Sequence, residues 1–121
     1  MDSHYFTAYS HEKLKHGLPN AKIIDCERLV NWVRLIKSDE EIKYMKIASQ
    51  ITQLGMKTAF EAINPGVRQC DAVAKIYSTL ISGTKKHGGD YSSIVPLIPT
   101  GKGTSASHLS WTDDKFVEGE A

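Results

Sequence analysis

Residues 37–66 read KSDEEIKYMKIASQITQLGMKTAFEAINPG and predict the longest element of the chain. Ser38 and Glu41 form a capping-box pattern, in which the serine hydroxyl accepts from the Glu41 N–H and the carboxylate reaches back to the Ser38 N–H. A stripe of apolar or small residues follows at steps of three and four, as on the buried face of a helix: Ile42, Met45, Ala48, Ile51, Gly55, Ala59 and Ile63. Because Asn64-Pro65-Gly66 stops a helix, the stretch predicts one helix over about 38–63.

A second amphipathic pattern follows at about 68–82, with Gly83 just past its end. Its predicted apolar face consists of Cys70, Val73, Ala74, Tyr77, Leu80 and Ile81. Residues 91–98, YSSIVPLI, are rich in β-forming residues, and Pro96 restricts them to an edge, a bulge or a strand end. Residues 116–119, FVEG, look like the approach to a tight turn. The expected fold class is therefore α/β (α+β): two long amphipathic helices against a partial antiparallel sheet.

Shorter signals precede the long helix. Residues 10–17 predict a brief helix that Gly17 ends, and residues 21–25, AKIID, predict a short strand. In ERLVNWVRLI, residues 27–36, apolar side chains recur at helical spacing, although a strand is also possible over 32–36.

Composition limits the class of protein. The 121 residues suffice for one ordinary domain and are too few for two. With 15 Lys+Arg against 14 Asp+Glu the net charge is +1, so no basic surplus indicates a nucleic-acid partner. No apolar run approaches the ~20 residues of a membrane span, and no membrane partner is expected. Cys26 and Cys70 have no paired spacing, which favours reduced thiols in a cytoplasmic protein.

The stretch TGKGTSASH, residues 100–108, raises the question of a phosphate-binding loop. Such a loop needs Gly, four residues and then Gly-Lys-Ser/Thr. Here Pro96 stands where the first glycine belongs, and Gly103 follows Lys102. The stretch is therefore interpreted as a small-residue run that ends at His108. From the residues alone, His108 is either a functional histidine or a solvent-exposed loop residue.

The order of these signals resembles the creatinase / aminopeptidase P superfamily, which has the pita-bread fold. The resemblance rests on RLIKSDEEIKYMKIA (34–48), which is similar to the entry to the catalytic domain, and on INPGVRQCDAVAKIY (63–77), which is similar to the next helix. Within the superfamily, DSHYF (2–6), the stretch 18–38 and GGDYSSIVPLIPTGKGTSASHLSWTDD (88–114) look most like ectoine hydrolases. The similarity runs over essentially the whole chain.

The resemblance implies a division of the chain. Residues 1–36 would be the C-terminal tail of the creatinase-type N-terminal domain, and residues 37–121 the first part of the pita-bread catalytic domain. The relatives extend beyond both ends of the chain, so it is expected to be an internal piece that is inactive alone. The full-length relative is expected to be a cytoplasmic homodimer.

The resemblance also assigns a role to His108. In this superfamily a histidine after a small-residue loop faces the pocket, where it binds substrate or transfers a proton, so His108 is predicted to be both catalytic and substrate-binding. Histidine suits this task because its ordinary pKa of ~6.5 allows both protonation states near neutral pH. The implied reaction is hydrolysis of a C–N bond in a small-molecule substrate, the cyclic amidine of ectoine, to an N-acetylated diaminobutyrate.

No metal ligand and no cofactor are expected, because the metal-binding positions of the superfamily lie downstream of the one that His108 matches. Asp113 and Asp114 are interpreted as solvated loop carboxylates. A protonated amidine is already electrophilic, so acid/base chemistry could suffice without a metal. Two alternatives stay open: part of an Xaa-Pro dipeptidase or aminopeptidase with two divalent metals, or a non-catalytic remnant that acts as an interaction module.

Overall fold

A computed structural model describes residues 6–89 and 94–120. The chain divides into two compact units, Met1–Ile42 and Lys43–Ala121. The described residues form the helices α1 (Ala8–Gly17), α2 (Leu29–Leu35), α3 (Asp39–Ala62) and α4 (Gln69–Ser82), and a short 3₁₀ helix at Gly101–Ser105. None of the helices in these described stretches is long and apolar enough to cross a membrane.

The first unit contains α1 and α2. Thr7 caps α1, because its hydroxyl accepts from the Ser10 N–H at 3.2 Å. This helix confirms the one predicted over 10–17 and begins two residues earlier, at Ala8. Residues 29–35 are helical, which decides against the strand that was possible over 32–36. The strand predicted at 21–25 is wrong, since these residues carry no strand pairing.

The start of α3 is the predicted capping box. The Ser38 N–H donates to the Glu41 carboxylate at 2.7 Å, and the Glu41 N–H donates to the Ser38 hydroxyl at 3.3 Å. The serine hydroxyl also donates to the same carboxylate oxygen at 2.9 Å. The backbone and side-chain hydrogen bonds from Ser38 hold the pKa of Glu41 below its ordinary value. The helix predicted over 38–63 is thus confirmed, with no strand inside it.

α3 and α4 pack closely within the second unit. A Cβ atom added at Gly55 would lie 2.6 Å from the Leu80 Cδ2, so any other residue here would require the Leu80 side chain to move. About one turn further along α3, the Thr58 hydroxyl lies 3.1 Å from the Thr79 hydroxyl of α4. The predicted stripe of α3 is only partly buried. Gly55 is buried and Ile51 half-buried, whereas Ile42 and Met45 are exposed.

The buried face of α4 differs from the predicted one. Val73 is buried as expected, but Ala72 and Ile76 are buried in place of Ala74 and Ile81. The helix is therefore turned by about one residue relative to the prediction. The cause lies outside α4, because a segment of the loop after it covers the side of the helix that carries Ala72.

That loop segment contributes to the core. Phe116 is buried against Ala62 at the end of α3 and Ala72 of α4, with Val67 and Ile98 packed around them. The main chain turns at Glu118 and Gly119, which confirms the predicted turn. The core of the second unit thus joins the two helices to Phe116, which comes more than forty positions after Ala72 in the chain.

The expected partial antiparallel sheet is not found in the described residues, where Arg68 and Lys115 form one isolated antiparallel bridge. Arg68 lies between a turn at 65–66 and the start of α4 at Gln69, so the extended stretch is too short for the pairing to grow into a ladder. The strand predicted over 91–98 lies partly outside the described residues, and residues 94–98 carry no strand.

Candidate functional site

A cavity of about 550 Å³ lies in the second unit, beside the first turn of α4. It is lined by Gln69 of α4, by the 3₁₀ helix and the two residues before it, and by residues of the segment 109–120. Hydroxyls, two lysines and two carboxylates face it together with Leu109, Val117 and Pro99. Most of the lining residues are polar, so the cavity suits a small polar or charged ligand better than an apolar one.

Backbone hydrogen bonds fix one wall of this cavity. The N–H groups of Gln69 and Cys70, at the start of α4, donate to the carbonyls of Asp114 (2.9 Å) and Thr112 (3.1 Å). The Phe116 N–H donates to Val67 O at 2.9 Å. The first N–H groups of a helix have no acceptor within the helix, and here the carbonyls of Asp114 and Thr112 are their acceptors.

The wall continues into a tight turn. The Asp114 N–H donates to the Thr112 hydroxyl at 3.0 Å, and that hydroxyl donates to the Asp114 carboxylate at 2.9 Å. The Asp114 side chain is therefore partly engaged by its own turn. Asp113 is exposed.

Gln69 links this wall to the opposite one. Its side-chain amide nitrogen donates to the Thr100 hydroxyl at 2.9 Å, and its amide oxygen accepts from the Thr112 N–H at 3.0 Å. Gln69 was not among the predicted site residues. A signal for it exists, since it lies three and four positions before Ala72 and Val73 and so extends the buried face of α4 with a polar side chain.

Beside Gln69, Arg68 and Asp71 form a two-point ion pair. The Arg68 Nε and Nη2 atoms donate to the two carboxylate oxygens at 2.8 and 2.7 Å. These hydrogen bonds lower the pKa of Asp71 and raise that of Arg68. Both side chains are about half-exposed, so the pair mainly orients the first turn of α4.

The stretch TGKGTSASH folds as a compact turn that bonds to itself. The hydroxyls of Thr104 and Ser105 donate to the carbonyls of Gly101 and Lys102, both at 2.8 Å. Gly101 has a positive φ of 53°, and a Cβ atom there would lie 2.5 Å from the Glu120 carboxylate. The hydroxyls of this stretch thus bond to its own backbone and hold the turn in shape.

His108 follows this turn. Its backbone has a φ of 62°, in the left-handed region that non-glycine residues seldom adopt. Its side chain is exposed, and the residues directly after it, Leu109 and Ser110, line the cavity. The histidine therefore lies next to the candidate site, and its catalytic and substrate-binding role stays a prediction.

Three comparisons with known proteins bear on this site. The chain is 43% identical to the ectoine hydrolase of Halomonas elongata, over 99% of this chain and 31% of that protein. It is 45% identical to the uncharacterized hydrolase/peptidase y4tM of Sinorhizobium fredii, over 96% of this chain and 30% of that protein. The solved Xaa-Pro dipeptidase from Bacillus anthracis superposes with a TM-score of 0.79 at 25% identity, over 98% of this chain and 32% of that one. The chain thus spans about 30% of the length of these relatives.

The expectation of no cofactor needs correction. Residues 43–121 match the model of metallopeptidase family M24, and the structural neighbour is an Xaa-Pro dipeptidase, so divalent metals are the rule in this group. The expectation relied on metal-binding positions that the resemblance places downstream of His108 and on the reactivity of one presumed substrate, and neither of these excludes a metal. Within the described residues, His, Cys, Asp and Glu form no group that could hold a metal ion, so these residues do not fit a metal centre. From the match over 43–121, the chain belongs to metallopeptidase family M24.

Proposed function

We propose that the chain forms the first part of the catalytic domain of a hydrolase that opens the cyclic amidine of ectoine. The observation that carries this proposal is the 43% identity to an ectoine hydrolase, which extends over 99% of the chain. In this proposal residues 37–121 belong to the catalytic domain and residues 1–36 to the end of the domain before it.

The reaction adds water to the amidine carbon and breaks one of its two C–N bonds, and the departing nitrogen takes up a proton. A group with a pKa near neutral can transfer that proton, and we assign this task to His108. The cavity next to it supports the assignment, since Thr100, Ser110 and Lys115 offer polar groups to a small zwitterion.

A segment exchange tests the proposal. Residues 1–121 of this chain replace the matching segment of the Halomonas elongata ectoine hydrolase, and the opening of ectoine is followed by chromatography with Mn²⁺ or Zn²⁺ present. We expect the exchanged enzyme to open ectoine. His108→Ala in it should lower kcat by ~10²–10⁴, the usual cost of losing a general acid or base.

The alternative function is cleavage of an Xaa-Pro dipeptide, which the TM-score of 0.79 to a dipeptidase favours. The same 121 residues are therefore also exchanged into the Bacillus anthracis dipeptidase and tested on an Xaa-Pro dipeptide. Suppose that the dipeptidase hybrid cleaves the dipeptide while the ectoine hydrolase hybrid is folded but inert. Xaa-Pro dipeptide cleavage would then replace ectoine opening as the proposed function. If both folded hybrids are inert, the segment is a non-catalytic module. Dimer formation and a cytoplasmic location stay predictions.

A further inference from the structure

Gln69 is the only buried polar residue in the part of the chain that the structure describes, with 5% of its surface exposed. A buried amide is costly unless its donor and acceptor are both engaged. Here both ends are engaged, by groups that lie on the same loop and not on the helix that carries Gln69.

The two partners mark the two ends of one segment. Thr100 precedes the 3₁₀ helix, and Thr112 follows the residues that line the cavity after His108. The described hydrogen bonds inside the segment are local, between residues three apart, such as Ala106 N–H to Gly103 O at 3.2 Å. Local bonds shape the turn but do not place it relative to α4.

Other contacts hold the Thr112 end as well, because the Thr112 carbonyl accepts from the Cys70 N–H at 3.1 Å. The Thr100 end is joined to α4 through the Gln69 amide. The Gln69 amide thus bridges the two ends of the segment, in addition to the anchor that Ile98 provides in the core before Thr100. His108 lies between the two ends in a left-handed backbone conformation.

We propose that Gln69 is a positioning residue, which holds Thr100 and Thr112 together at the start of α4 and thereby places His108 beside the cavity. The effect on catalysis rests on the function proposed above. The effect on the loop does not.

The loop effect is tested in the folded ectoine hydrolase hybrid, whether or not that hybrid opens ectoine, by amide hydrogen exchange and by ¹H–¹⁵N chemical shifts. In Gln69→Leu we expect the Thr112 N–H to exchange about tenfold faster, since it loses its acceptor. Shifts should change over 100–112. Gln69→Glu should restore most of the parent behaviour, because a carboxylate of the same shape can accept from both the Thr112 N–H and the Thr100 hydroxyl. Gln53→Leu is the matched control, as Gln53 is an exposed glutamine of α3.

If Gln69→Leu loses helicity by circular dichroism, Thr100→Val takes its place, because it removes one hydroxyl and leaves the helix sequence intact. Its shifts should change over 100–108. Unchanged exchange and shifts across 100–112 in a folded Gln69→Leu or Thr100→Val hybrid would overturn the proposal.

The catalytic effect is measured in the ectoine hydrolase hybrid with a double-mutant cycle. Gln69→Leu should lower kcat by ~10–10², with a smaller change in KM, because a displaced acid/base group costs more than weakened binding. In the His108→Ala background the same change should cost nothing further. Fully additive losses would show that Gln69 does not act through His108. If the parent hybrid is inert, the proposed function fails. The amide hydrogen exchange and the chemical shifts then decide by themselves whether Gln69 places the loop.

Discussion

Ser38 and Glu41 show how one pair of side chains defines where a helix begins. Three hydrogen bonds of 2.7 to 3.3 Å join them, and two of these satisfy backbone N–H groups that the helix cannot satisfy itself. Both residues are exposed, so the pair acts through local geometry and not through burial.

Replacement of Ser38 by alanine removes the cap. We expect Ser38→Ala to lower the free energy of unfolding by about 0.5–2 kcal/mol, as for other N-cap residues. Urea unfolding followed at 222 nm measures this. Ser49→Ala, at an exposed position inside α3, should be neutral or slightly stabilising because alanine favours helices. Equal effects of the two substitutions would contradict a capping role.

Glu41 makes the cap dependent on pH. Its pKa is lowered in the folded chain, so its contribution to stability is fully present above the ordinary value of 4.5 and is lost as the pH falls through the lowered value. The difference in stability between the parent and Ser38→Ala should therefore shrink in acid. An NMR titration should place the Glu41 pKa below 4.5 in the parent and nearer to it in Ser38→Ala. A pKa that does not change between the two would refute the coupling.

Among the elements, the contact between α3 and α4 depends on Gly55. Glycine inside a helix costs about 0.5–1 kcal/mol relative to alanine, so its presence there needs a reason in the packing. The reason is Leu80, whose methyl group occupies the space that a side chain at position 55 would need.

We expect Gly55→Leu to destabilise the chain by about 1–3 kcal/mol through overpacking. Leu80→Ala in the same chain should relieve part of this loss, so that the two changes together cost less than their sum. Thermal unfolding is followed by circular dichroism for the parent, the two single variants and the double variant. The four stabilities give the coupling free energy between positions 55 and 80. Gln53→Leu adds the same side chain at an exposed site of α3 and should change little. Additive losses from Gly55→Leu and Leu80→Ala would argue against the contact.

At the scale of the whole molecule, a large share of the apolar side chains is exposed. Trp32 is 68%, Ile36 84% and Phe60 79% exposed, and many other large apolar residues exceed one third. Exposed apolar surface of this extent promotes association. The chain also spans about 30% of the length of its relatives.

We therefore expect the purified 121-residue chain to associate in light scattering and to leave both ectoine and an Xaa-Pro dipeptide unchanged, with or without Mn²⁺ or Zn²⁺. The same chain exchanged into the ectoine hydrolase should gain turnover. A monodisperse monomer that opens ectoine by itself would contradict this expectation.

The sequence by itself determined the two long helices of this protein, but not its extended segments, since the strand predicted at 21–25 is not formed. The capping box, the stop at Asn64-Pro65-Gly66 and the helical spacing predicted α3 and α4 nearly to the residue, because caps and periodicity depend on neighbours within one or two turns. Ordered motifs along the chain indicated the same group of enzymes to which the family match and the relatives now assign it.

Only the tertiary structure decided which face of α4 is buried, that residues 112–116 meet the start of α4 in a single bridge and not a sheet, and that Gln69 joins Thr100 to Thr112. Each of these depends on residues 31 to 47 positions apart, whose approach leaves no periodic trace in the sequence. A polar residue on an apolar face indicates a buried group that needs hydrogen-bond partners. Which residues become those partners depends on how the chain folds back on itself.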